Sequence, residues 1–164
     1  MTTDMLSTAR KVALEAHEDQ LYGELPYIVH LYAVEMVLRR FGITDERLLV
    51  SAYLHDVLED TNYEPGNIRW LFGEEVLEIV EAVTEPDTGT RKERHAATYP
   101  KIRNHPDARI LKLADRIANV ESGGKTDMYR KEHMDFHTAL CKNTWISEKE
   151  SSMWLHLNSL LIRA

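Results

Sequence analysis

The residues able to do chemistry concentrate in LLVSAYLHDVLEDTN, residues 48–62. Leu48, Leu49, Val50, Ala52, Tyr53, Leu54, Val57 and Leu58 leave no broad polar face, which predicts a mostly buried helix. Its C-terminal end nevertheless carries His55, Asp56, Glu59 and Asp60. On a continuous helix His55 shares a face with Glu59, and Asp56 with Asp60, because residues four apart are neighbours. Three carboxylates and an imidazole are costly to bury. A bound cation would compensate them, and so would solvent at a wetted helix end.

A second apolar stretch, KLADRIANV at 112–120, places Lys112, Asp115, Arg116 and Asn119 at i, i+3, i+4 and i+7. That spacing draws one polar stripe along an otherwise apolar helix. Taken alone, Asp115 fits a structural ion pair with Lys112 or Arg116 as well as it fits a ligand. His30, on the inner face of the helix that follows Pro26, fits a satisfied core histidine or a ligand. The combination is more informative. His30, His55, Asp56 and Asp115 offer two imidazoles and two carboxylates on buried faces, a mixed N/O set suited to Mn²⁺, Fe²⁺ or Zn²⁺. The lone cysteine, Cys141, is remote in sequence from all four, which excludes thiolate ligation. Four protein ligands on an ion that prefers six leave room for water and a phosphate oxygen.

The elements that must position these residues read as helices. Ala9, Val12, Ala13 and Ala16 form one stripe over residues 6–19, and GELP breaks the chain. Pro26 suits the first turn of a second helix running to Phe41, stopped by Gly42. Thr44 is placed to cap the third helix, whose first turn holds Asp45 and Glu46. Helices over 67–72 and 74–84 follow, then a loop, then a Thr90–Glu93 capping box opening a helix that ends before Pro106. Residues 106–121 form a nearly all-apolar helix ended by Gly123 and Gly124. Helices near 127–141 and 148–162 complete the chain, the last opened by Ser147 and Glu150 as a second capping box. No segment alternates with period two, so no sheet is expected. The prediction is a single all-α domain over 1–164, a bundle of about eight helices.

With 164 residues, 43% of them hydrophobic and 29% charged, the composition is that of an ordinary globular domain. One cysteine permits no internal disulfide, and the N-terminal MTTDMLSTARK lacks the order of a secretion signal, so a cytoplasmic location is expected. No apolar run approaches membrane-span length. The net charge of −7 argues against nucleic-acid or anionic-membrane binding. Residues 91–131 reverse that balance, with 11 Lys and Arg against 5 Asp and Glu. Such a segment either receives a compact polyanion or is a solvated surface. Cys141 reads as a small buried hydrophobe and Trp70, Trp145 and Trp154 as core anchors. His133 and His137 are four apart but lack the HExxH order of a zinc site, and His17, His95, His105 and His156 show no partner pattern.

The pattern H…HD…D resembles the signature of the HD phosphohydrolase superfamily. PYIVHL, AYLHDVLEDT, the Glu-Ala-Val-Thr at 81–84 and LKLADRIANV resemble more closely the hydrolase domain of the RelA/SpoT alarmone enzymes, especially the stand-alone small alarmone hydrolases. The likeness covers residues 5 to 140. It implies His30, His55, Asp56 and Asp115 as metal ligands, with Mn²⁺ the expected ion. It implies Glu59 and Asp60 as the catalytic acidic pair and Asn119 as a nucleotide contact. Lys112, Arg91 and Arg94 match basic positions facing phosphates. The implied reaction removes the 3′-pyrophosphate of (p)ppGpp, with a small guanosine polyphosphate as substrate. One departure stands out. Gln20 is followed by Leu21 and Tyr22 where the family carries a basic residue near the base, so Tyr22 is the candidate for stacking. Other nucleotides, such as a deoxynucleoside triphosphate or the phosphate of NADPH, remain alternative substrates. A sensor that binds without turnover is the alternative from another class, and it has no need of Glu59 and Asp60. Oligomeric state is not legible.

Overall fold

The computed structural model describes residues 4–162. Among the described residues ten helical segments, against the expected eight or so, follow one another: α1 (Met5–Ala16), α2 (Ile28–Arg40), α3 (Glu46–Leu54), α4 (Val57–Asp60), α5 (Pro65–Phe72), α6 (Glu74–Val83), α7 (Arg91–Arg103), α8 (Pro106–Glu121), α9 (Thr126–Cys141) and α10 (Glu148–Ile162). Between α1 and α2 lies a short antiparallel hairpin, β1 (Leu21–Tyr22) paired with β2 (Leu25–Pro26). The all-α class stands, with this hairpin as a correction to the expectation of no sheet. Four residues in two strands are too few to show an alternating pattern.

Local chemistry sets most boundaries. Asp4 caps α1, and Asp45, not Thr44, caps α3 by accepting from the Arg47 N–H at 2.9 Å. The Thr90–Glu93 capping box forms in both directions and opens α7. At α10 only half of the expected box forms. Ser147 Oγ accepts the Glu150 N–H at 3.1 Å, but the Glu150 carboxylate turns inward to meet Arg109. Pro26 falls in β2, not in a helix, and α2 starts after Tyr27, whose N–H donates to the Gln20 carbonyl at 3.0 Å.

Helix α8 is the central element, packed against α2, α3, α6, α7, α9 and α10. Its Leu111, Leu113, Ala114 and Ile117 are fully buried. Burying one Leu or Ile side chain contributes about 1.5–3 kcal/mol, so this helix is anchored well enough to carry polar groups among its apolar ones. Arg109 of α8 and Glu150 of α10 form a buried ion pair at 2.8 Å, and the guanidinium also donates to the carbonyls of Arg103 and Trp145.

The tryptophan expectation holds for Trp154, 3% exposed, and fails for Trp70 and Trp145, 84% and 81% exposed. Helix α5 buries Ile68 and Phe72, a face Trp70 does not share. Trp145 contributes its carbonyl, not its ring. Cys141 is half-buried at the end of α9, not fully inside. His133 bonds Asn158 Oδ1 through Nε2, a packing contact between α9 and α10.

The predicted long helix at 48–62 is interrupted. Helix α3 stops at Leu54 and α4 starts at Val57, with His55 and Asp56 between them. A regular helix separates the side chains of neighbouring residues by about 100°. The turn lets both project to one point, and His55 Nε2 lies 3.0 Å from Asp56 Oδ2.

Candidate functional site

Three parts of the chain deliver the four expected ligand groups: α2 brings His30, the α3–α4 junction His55 and Asp56, and α8 Asp115. Ligating atoms of His30, His55 and Asp56 all lie within 4.8 Å of one another. Asp115 Oδ1 is 3.2 Å from His30 Nε2 and 3.7 Å from His55 Nε2. His30 and His55 are buried, and Asp56 and Asp115 nearly so.

The groups fit a divalent cation. His55 Nδ1 donates to the Ala52 carbonyl at 2.9 Å, which leaves Nε2 facing the carboxylates, where it carries a proton or ligates an ion in its place. That nitrogen is buried and in no directed hydrogen bond, although a carboxylate oxygen is close. Atoms aimed at a common point, not at each other, produce this geometry. Electrostatics agree. Burial opposes charge on His55, yet Asp56 and Asp115 hold its pKa well above the ordinary imidazole value. Burial likewise opposes ionised Asp56, but His55 and His30 hold it down at about 2. Asp115 lies well below the usual range because Lys112, His30 and His55 outweigh its desolvation. The cluster is two ionised carboxylates that draw positive charge to themselves, from the His55 imidazolium in the absence of an ion.

Neighbours fix the ligands in turn. Tyr27 donates its hydroxyl to Asp56 Oδ2 at 2.5 Å, and burial with this carboxylate keeps the phenol protonated. Asn119 donates to Asp115 Oδ1 at 2.6 Å, and Lys112 to Asp115 Oδ2 at 3.1 Å. Tyr22 stacks on the His30 ring with centroids 4.8 Å apart, and its hydroxyl donates to Asn119 Oδ1 at 3.0 Å.

Above the cluster opens a cavity of about 1030 Å³, lined by every sequence-predicted site residue except His55, which lies behind the others. A smaller depression of about 680 Å³ beside Tyr63 and Pro86 contains none of them. Glu59 and Asp60 stand at the cavity wall. Partial desolvation pushes Glu59 up to about 7, with the nearby Asp56 charge adding to it and the Glu85 N–H, 3.0 Å away, opposing it. Arg91 and Arg94 line the cavity already paired, Arg91 with Glu132 at 2.6 Å and Arg94 with Glu85 at 3.1 Å. Lys112 is bound to Asp115, so its ammonium positions that residue as well as facing the cavity.

Sequence reasoning missed Tyr27, Glu85, His95 and Arg116 as cavity residues. Tyr27 had a signal, its place three residues before His30. Glu85 and His95 had none, because their meeting at 3.5 Å depends on how α7 returns over the loop after α6. The Arg116 guanidinium is sandwiched between Tyr129 and Phe136, 4.4 and 4.1 Å from their ring centres.

Comparison with known proteins places this architecture. A guanosine-3′,5′-bis(diphosphate) 3′-pyrophosphohydrolase of Aquifex aeolicus is 32% identical over 162 residues, covering 91% of this chain and 23% of the relative. The chain thus spans about a quarter of that relative's length. The pyrophosphohydrolase MESH1 of Xenopus tropicalis, named for the same activity, is 35% identical over 121 residues, 71% of this chain and 68% of the relative. The solved structure of a metazoan SpoT orthologue, described as hydrolysing ppGpp and acting in starvation responses, superposes with a TM-score of 0.80 at 23% identity. It covers 99% of this chain and 97% of that one, a likeness of fold. The HD domain model matches residues 9–138, well over half of the sequence and all four converging groups. The chain belongs to the HD domain family.

Proposed function

We propose that the protein is a Mn²⁺-dependent (p)ppGpp 3′-pyrophosphohydrolase. One observation carries this reading: two imidazoles and two carboxylates converge at the floor of a cavity whose wall presents Lys112, Arg91 and Arg94. The activity named for the relatives fits that chemistry. His30, His55, Asp56 and Asp115 would hold the ion. When bound, the ion supplies a Lewis acid that acidifies water and neutralises charge on the attacked phosphoryl group.

The remaining steps fall to the protein's own groups. Glu59, with a pKa of about 7, is matched to take a proton from attacking water and return it to the leaving group near neutral pH. Asp60, one residue on, orients that water. Arg91 and Arg94 would exchange Glu132 and Glu85 for phosphate oxygens, a charge-assisted swap that keeps each guanidinium paired. Asn119 bridges Asp115 and Tyr22, linking the ion to the side of the cavity where the base would lie. A cytoplasmic setting fits a small nucleotide substrate, and no helix among the described residues is long and apolar enough to cross a membrane.

The hairpin favours a second substrate reading. Leu21 is 62% exposed, and the Tyr22 hydroxyl is tied to Asn119 and Ser122, so this edge offers no cation to the base. The test is product analysis by ion-exchange chromatography. Metal-stripped protein, with and without Mn²⁺, is incubated with ppGpp, a deoxynucleoside triphosphate panel and NADPH. GDP and pyrophosphate formed only with Mn²⁺ are expected. Intact ppGpp beside a cleaved triphosphate or NADPH would move the substrate, and no turnover at all would overturn the enzymatic reading in favour of a sensor.

A further inference from the structure

His17, the residue after α1, has no partner pattern in the sequence, yet it lies 4% exposed beneath the site. Its Nδ1 is 2.6 Å from Gln20 Oε1, and Gln20 Nε2 donates to Asp60 Oδ2 at 2.8 Å. The polarity of this chain is forced. A carboxylate accepts only, so Gln20 must turn its NH₂ to Asp60 and its oxygen to His17. His17 must therefore present an N–H at Nδ1. Reversing the amide would set oxygen against oxygen at one end.

The backbone holds the middle member from both sides. The Gln20 N–H donates to the His17 carbonyl, and the Gln20 carbonyl accepts from Tyr27 N–H, each at 3.0 Å. Gln20 is thereby pinned between the end of α1 and the start of α2. The His17 ring also lies against Tyr27, with centroids 4.8 Å apart.

We propose that His17 and Gln20 are positioning residues for Asp60. His17 fixes the rotamer of the Gln20 amide, and the amide holds one Asp60 oxygen so that the other faces the reacting water. The role rests on the catalytic assignment of Asp60 made above. Asp60 lies at the exposed end of α4, a helix of four residues, where nothing local fixes a carboxylate rotamer. A hydrogen bond from a pinned amide supplies that restraint.

The test uses this chain with Mn²⁺ and ppGpp for turnover, together with histidine ring ¹⁵N NMR on the ion-free protein. Gln20→Ala and His17→Ala should each lower kcat about 10- to 100-fold, the range for lost supporting hydrogen bonds, with KM within about twofold. His17→Asn, whose amide N–H can stand where Nδ1–H stood, should recover most of the loss. It also guards against an unfolded His17→Ala. In an Asp60→Ala background neither substitution should reduce turnover further. NMR should show the Nδ1–H tautomer at His17, lost in Gln20→Ala. An Nε2–H tautomer in the wild type would overturn the proposal, as would losses in the Asp60→Ala background equal to those in the wild type. Absence of ppGpp turnover by the wild type would overturn the substrate reading and this role with it. The tautomer would then still report the hydrogen bonds, so the two failures are distinguishable.

Discussion

Lys112→Met is the perturbation whose sign depends most on a cation at the cluster. Lys112 Nζ lies 3.1 Å from Asp115 Oδ2, and the two side chains are 16% and 11% exposed. At that separation and an effective dielectric constant of about 20, the attraction is about 5 kcal/mol before desolvation. Removing one partner of a buried pair costs about 3–5 kcal/mol, because the other charge is left uncompensated. Asn119 and the two imidazoles still face Asp115, which sets the expectation at the low end, about 3 kcal/mol. For a domain of this size each kcal/mol moves Tm by about 2–4 °C, so the variant in EDTA should melt about 6–12 °C below wild type. Mn²⁺ should act in the opposite direction. At 100 times Kd a ligand stabilises by about 2.7 kcal/mol. Methionine removes an ammonium that repels the ion, so the Mn²⁺-induced rise should be larger in Lys112→Met than in wild type. Thermal melts by circular dichroism, in EDTA and across a Mn²⁺ titration, measure both. Equal melting in EDTA, or a Mn²⁺ shift no larger than that of wild type, would refute the reasoning.

Other outcomes follow from the same geometry. Asp56→Ala should abolish both the Mn²⁺-induced Tm rise and turnover, whereas Glu59→Gln should keep the rise and lose turnover about 10²- to 10⁴-fold, as read by melts and pyrophosphate release. Turnover of wild type should climb with pH as Glu59 deprotonates, with a midpoint below about 7 because a bound cation favours the carboxylate, and this limb should be missing from the residual Glu59→Gln profile. The sign for stability is opposite. A folded-state pKa raised from 4.5 to about 7 means the folded protein binds the proton more tightly, so wild type loses stability relative to Glu59→Gln as pH rises through that window. Denaturation at pH 5 and pH 8 checks this difference. Glu150→Ala should cost about 3–5 kcal/mol in urea denaturation by leaving Arg109 buried and unpaired, with KM for substrate unchanged.

The helices, and the Thr90–Glu93 box among their caps, were legible because their determinants act within a turn or two of chain, whereas the α3 cap fell to Asp45 one residue past Thr44. The apolar stripe of α8, the Thr90–Glu93 box and Pro106 each announce themselves through neighbours three or four residues away. The chemical types at the site were legible for a related reason: His30, His55, Asp56 and Asp115 are costly on apolar faces unless something binds them. Their convergence was decided by tertiary structure, through the packing of α2 on α8 and the interruption between α3 and α4. The same holds for the carboxylates that pair with Arg91 and Arg94, for the hairpin carrying Tyr22 and for His17 beneath Asp60. Trp70 and Trp145 mark the limit from the other side, since a large aromatic states that it can be buried and not which face of its helix meets the core. Residue type and spacing determine what each helix can offer, whereas contacts between distant parts of the chain arise only when the apolar faces choose their partners.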